Sequence, residues 1–92
     1  MESKRLYRIT ITGNVQGVGF RHNALREARY LRIKGFVKNL SDGSVYIEAE
    51  GSTEQLKTFI EWCHKGPRFG FVESVKVEES IPVNYSGFSI KL

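Results

Sequence analysis

The chain has one cysteine, two prolines, one tryptophan and one methionine in 92 residues. A lone thiol, Cys63, closes no intramolecular disulfide, which excludes a stapled secreted scaffold and points to a reducing, cytoplasmic setting. No apolar run approaches the ~20 residues that span a bilayer. The opening MESKRLYRITITG has charges but no apolar stretch of the signal-peptide kind, so no membrane partner is expected. Cys63 and His64 are neighbours on a predicted helix and therefore face different ways, one to the core and one to solvent, which is no basis for a metal site. Trp62 beside them reads as partial packing. There is no repeat, low-complexity tract or linker, and the length allows one domain, 1–92.

What is present is an ordinary globular composition, 40% apolar and 12% aromatic. Charge is unevenly spread: residues 1–40 carry nine Lys/Arg against two acids, and residues 41–92 five against eight. The first half should therefore draw in small anions.

Residues 5–12 alternate, with Tyr7, Ile9 and Ile11 on one face and Arg8, Thr10 and Thr12 on the other, as in a half-buried strand. Ala24, Leu25, Ala28 and Leu31 follow at helical spacing. The runs 34–40 and 44–50 flank Ser41-Asp42-Gly43, a strong hairpin signal. Ser52 with Gln55 forms a capping box that opens a second helix, its inner face Leu56, Phe59, Ile60 and Cys63. Lys57/Glu61 and Glu61/Lys65 are pairs on its outer face, and Lys65-Gly66-Pro67 stops it, with an αL cap expected. Val72 to Glu79 reads as a fourth strand with a bulge near Glu73-Ser74, and Tyr85 to Lys91 as a short closing strand. The order predicts an α+β, ferredoxin-like βαββαβ sandwich: an antiparallel sheet with two helices on one face and a short C-terminal strand. Right-handed crossovers run the first two strands in one direction with the third between them, which brings Asn39 near Arg21.

The stretch that the rest serves is GNVQGVGFR, residues 13–21. Gly13, Gly17 and Gly19 allow a curled backbone with its N–H groups turned inward. The following helix adds unpaired amides and a positive dipole end, and Arg21 adds a planar fork of donors for phosphate oxygens. This is an anion cradle. It lacks the Lys-Ser/Thr of a nucleotide P-loop and the dinucleotide glycine spacing. It also has no Cys, Ser or Asp nucleophile. Such a site either binds or delivers water. Asn39 suits the second role, being a neutral donor and acceptor that does not repel a phosphate dianion. Phosphoryl transfer is mostly positioning and charge stabilisation. A carboxylate leaving group, with a conjugate-acid pKa of about 4, departs without a general acid.

GNVQGVGFR resembles the first motif of the acylphosphatase family, and GFVKNLSDGSVYIEAEG, residues 35–51, is similar to the second. The likeness extends to Lys65-Gly66-Pro67 and the closing Gly87-Phe88. It implies hydrolysis of a small-molecule acyl phosphate to a carboxylate and inorganic phosphate, without metal or other cofactor. By the same resemblance Arg21 holds the phosphate, or a sulfate mimic. Asn39 orients the water, and the backbone of Val15, Gln16, Gly17, Val18, Gly19 and Phe20 forms the cradle. The position after the first glycine is often basic in the family; here it is Asn14, which lessens long-range attraction only.

Other readings stand beside this one. Arg21 could pair with an acid at the helix start, Asn39 could cap the hairpin, Gln16 and Val18 could merely shape the turn, and His22 reads as a surface residue. The β-α-β-β-α-β order is also that of RNA-recognition modules, but here the third strand sets Tyr46 beside Glu48 and Glu50, which would repel phosphates. An anion-binding domain without turnover is the remaining alternative. A monomer without nucleic-acid partners is expected.

Overall fold

The computed structural model describes residues 3–92. Its elements run β1 (Arg5–Asn14), α1 (Phe20–Tyr30), β2 (Lys34–Asn39), β3 (Val45–Gly51), α2 (Thr53–Lys65), β4 (Phe71–Ser80) and β5 (Phe88–Ile90). The sheet order is β4-β1-β3-β2-β5, with β3 between the like-directed β1 and β2. The expected βαββαβ sandwich is therefore formed, with one amendment. β5 lies parallel to β2, so the sheet is mixed at that edge rather than antiparallel throughout. β5 is also shorter than the alternation suggests, because residues 81–87 are spent crossing from one edge of the sheet to the other.

Ile9, Ile11, Val37, Val45, Ile47 and Ala49 meet Ala24, Ala28, Leu56, Phe59 and Cys63 in one buried core. Burial raises the Cys63 thiol well above its ordinary range, so it is an inert packing group. The small side chains of Ala24 and Ala28 are fully buried, which lets α1 lie close on the sheet. Its partners there are β2 and β5, whereas α2 lies over β4, β3 and β1.

The bulge in β4 is present: Thr12 pairs with Ser74 but Gly13 with Val72, leaving Glu73 extra. Gly13 belongs to this bulged ladder rather than to the curled loop. Its φ is 129°, and a Cβ there would meet Phe71 O at 2.2 Å, so only glycine fits. Gly66 caps α2 at φ 71°, ψ −178°, which is not the αL geometry the sequence suggests. Among the described residues the one ion pair is Arg5–Glu79, so Lys57, Glu61 and Lys65 face solvent unpaired.

In the sequence Glu50 reads only as a charge that, with Glu48, would repel phosphates. It is 1% exposed, and its carboxylate accepts the backbone N–H groups of Val83, Asn84 (2.8 Å) and Tyr85 (2.7 Å). This carboxylate fastens the crossing segment over the face of the sheet that carries no helix.

Candidate active site

The loop between β1 and α1 is set by two left-handed glycines, Gly17 (φ 74°) and Gly19 (φ 80°). Gly19 is the N-cap of α1 and supplies no side-chain cap, and no acid lies in the first turn. Among the described residues, no backbone N–H from Gln16 through Phe20 donates to a protein acceptor in this loop. The other helix differs. At α2, Ser52 and Gln55 bond to each other's backbone, closing its N-terminus with the chain's own groups. One helix start is sealed and the other is open to an anion.

The cradle is held from below. Val15 and Phe20 are each 1% exposed, and Phe20 packs at 5.2 Å from the Trp62 ring. Asn23, which the sequence reading passed over, fixes the rim: its Nδ2 donates to Gly19 O at 2.8 Å. The signal was available, since an amide four residues after a helix N-cap can reach back to the cap carbonyl. Arg21 is half-buried in the first turn of α1. Among the described residues it has no carboxylate partner, which removes the reading of it as half of an ion pair.

Register puts Asn39 at the same end of the sheet. Ile11 on β1 and Asn39 on β2 both lie opposite Val45 on β3. Two strand spacings separate their backbones, roughly 10 Å. Gln16 bridges the gap: its Nε2 donates to Leu40 O at 2.8 Å and to Ser44 O at 2.9 Å. Gln16 thus does more than shape its own turn.

Asn39 does not cap the hairpin. That task falls to Asp42, whose Oδ1 accepts from Ser44 N (2.9 Å) and Ser44 Oγ (2.6 Å). These bonds hold the Asp42 carboxyl below its ordinary range. The Oδ1 of Asn39 is instead buried and has no hydrogen-bond partner among the described residues. An unpaired buried acceptor costs about 1–3 kcal/mol, and such exceptions call for a reason beyond stability. His22 and His64 are exposed as expected. No group of three or more His, Cys, Asp or Glu side chains among the described residues could hold a metal ion. No helix is long and apolar enough to cross a membrane.

A ferredoxin-like α+β fold that sets, among the described residues, an open amide loop, a guanidinium without a carboxylate partner and an unpaired carboxamide oxygen at one sheet end has the make-up of an anion site. Comparison with known proteins narrows it. The acylphosphatase family profile matches residues 7–90. The acylphosphatase of Salinibacter ruber is 50% identical over 88% of this chain and 86% of its own length. That of Thermotoga maritima is 46% identical over 91% of this chain and 93% of its own. The crystal structure of acylphosphatase from Bacillus subtilis superposes with a TM-score of 0.94 at 40% identity, covering 96% of this chain and 99% of that one. The chain belongs to the acylphosphatase family, and with it to the hydrolases.

Proposed function

We propose that the chain hydrolyses a small acyl phosphate to a carboxylate and inorganic phosphate at the loop after β1, acting as a monomer in the cytosol with 1–92 as one catalytic unit. The backbone amides of Val15 to Phe20 and the Arg21 fork hold the three phosphoryl oxygens. The half-buried Asn39 carboxamide holds a water and aims its oxygen at phosphorus. The water oxygen forms the new P–O bond, and the bond from phosphorus to the acyl oxygen breaks. The electron pair leaves on the carboxylate, and the water's protons pass to phosphate and solvent. The loose transition state asks for positioning and charge stabilisation, which amides and a guanidinium supply. No acid is required at the leaving oxygen, since a carboxylate is stable at neutral pH.

The observation that carries this reading is the half-buried Asn39 carboxamide, whose Oδ1 has no protein partner among the described residues, at the strand end that Gln16 ties to the cradle. The test is hydrolysis of benzoyl phosphate in ¹⁸O-labelled water with excess EDTA. Label is expected in inorganic phosphate and not in benzoate, at the rate found without chelator. Label in benzoate would mean attack at the acyl carbon, and loss of rate would mean a metal requirement.

A further inference from the structure

An in-line displacement sets the entering and departing oxygens on opposite sides of phosphorus. With water held at Asn39 on β2, the acyl group leaves toward the other flank of β1, where β4 lies. The segment between α2 and β4 packs there directly against the cradle. A Cβ on Gly70 would stand 3.2 Å from Val18 Cγ2 and 3.3 Å from Asn14 O, so the two loops are in van der Waals contact.

Between this segment and the first turn of α1 is a cleft of about 500 Å³, lined by Asn23, Trp62, Lys65, Pro67, Arg68 and Gly70 among others. Its volume is that of a small-molecule site. Asn23 forms part of its wall while its amide holds Gly19 O, so the inner end of the cleft adjoins the cradle. Trp62 is half-buried; it stacks on Phe59 at 6.1 Å and leans on Phe20 at 5.2 Å, which fixes its ring. Lys65 and Arg68 are both exposed, and no carboxylate side chain lines the cleft.

We propose that this cleft receives the acyl half of the substrate and favours aromatic over two-carbon acyl phosphates. Trp62 and Pro67 offer a flat apolar wall, and Lys65 and Arg68 face the carboxylate as it departs. The assignment rests on the cradle and Asn39 roles given above. A fixed ring takes up a flat acyl group at little cost in ordering, and two cations with no carboxylate partner among the described residues favour the charge that develops on the leaving oxygen.

Trp62 is the only tryptophan in the chain, so its emission reports on the wall of this cleft, which it shares with a neighbouring hollow beside Arg26, Glu27 and Tyr30. The probes are benzoylphosphonate and acetylphosphonate, whose C–P bonds resist hydrolysis, each titrated in competition with inorganic phosphate. Both are expected to displace phosphate, but only the benzoyl compound to shift Trp62 emission. It should also bind about three- to tenfold tighter than the acetyl compound, the range of one aromatic contact. Trp62→Leu should abolish that advantage. Equal affinities, or a preference that survives Trp62→Leu, would overturn the subsite while leaving the cradle intact. Failure of both compounds to displace phosphate would instead overturn the cradle, and the subsite with it. Should Trp62→Leu not fold, the emission shift and affinity ratio of the wild type decide alone.

Discussion

Gln16 Nε2 lies 2.8 Å from Leu40 O, so the glycine loop and the end of the strand carrying Asn39 are joined by one side chain. Twenty-four residues of sequence separate them. The same nitrogen also donates to Ser44 O at 2.9 Å, across the mouth of the hairpin. The cradle and the amide proposed to aim water are thus held in one frame rather than on two independent loops.

Replacing Gln16 by Leu removes both bonds while keeping bulk. The two carbonyls retain other donors, since Gly43 N still reaches Leu40 O and Leu40 N still reaches Ser44 O. The stability loss should therefore stay near 1–2 kcal/mol, that of one or two ordinary hydrogen bonds. The larger effect is expected on kcat, because a displacement of ~1 Å between cradle and water can cost about 10²-fold. Urea melts and steady-state kinetics on benzoyl phosphate measure the two. A variant with wild-type kcat would show that the bridge has no part in alignment.

Arg21 and Asn39 should separate binding from turnover. Arg21→Gln removes the fork proposed to hold the phosphoryl oxygens, which should weaken inhibition by inorganic phosphate and abolish turnover. Arg21→Lys should also be poor, because a point charge cannot place two parallel donors. In Asn39→Ala the phosphate affinity is expected to stay within about twofold while kcat falls about 10²–10³-fold, the scale for losing one aligned catalytic donor or acceptor. Its melting temperature should not drop as a core truncation would make it drop, since the atom removed is an unpaired buried acceptor. Measuring phosphate inhibition, kcat and thermal melts on the same three variants gives the comparison. Loss of phosphate affinity in Asn39→Ala comparable to that in Arg21→Gln would contradict the division of roles.

Local pattern made most of this architecture readable. The alternation of residues 5–12, the alanine spacing of α1, Asp42-Gly43 and the Ser52–Gln55 box all act over a few residues, and each forms as the sequence suggests. The tight loop after β1 was legible for the same reason, as Gly17, Gly19 and Arg21 lie within one short run, although Gly13 belongs to the β1–β4 ladder instead. What the sequence hid depends on partners far along the chain. Glu50 read only as a repelling charge near Glu48, yet its three donors lie 33–35 residues later in a segment with no periodicity. Glu48 looked like a charge that would repel phosphates, and is instead bound by two phenols. The parallel pairing of β5 was likewise invisible, because a three-residue strand gives no sign of which edge it will join.

Glu50→Gln tests the anchor of the crossing segment. The amide keeps one acceptor oxygen but turns an NH₂ group toward backbone N–H donors, leaving buried groups unsatisfied. A loss of about 3–5 kcal/mol is expected, as for breaking a buried charge-assisted network. Amide exchange should rise first at Val83, Asn84 and Tyr85, and the cradle amides at the opposite end of β1 should be unaffected in the folded fraction. Wild-type protection at those three amides would mean that the segment is held by something other than the carboxylate.

Tyr46 and Tyr85 both donate to Glu48, each at 2.6 Å, from neighbouring positions around Phe36. Burial, and after it the bond to Glu48, raises both phenols to about 12. Burial pushes Glu48 upward too, but its bonds from the two phenols and the nearby Arg8 and Lys91 outweigh this, and its carboxyl is lowered. The three groups titrate as a coupled set. For the tyrosines, whose folded values are raised, the stabilisation is full below the unfolded value of about 10 and is lost as pH climbs toward 12. For Glu48, whose folded value is lowered, it is full above the unfolded value of about 4.3 and is lost as pH falls below it. Melting temperature should therefore be level across neutral pH and fall at both ends. The Tyr46→Phe/Tyr85→Phe double variant removes both donors, so its alkaline fall should be shallower and its acid fall weaker. Tyrosinate absorbance followed with pH gives the independent check: in the wild type these two phenols should ionise about two units above the ordinary value of ~10. Ionisation of all four tyrosines at the ordinary value would mean that the carboxylate does not hold them.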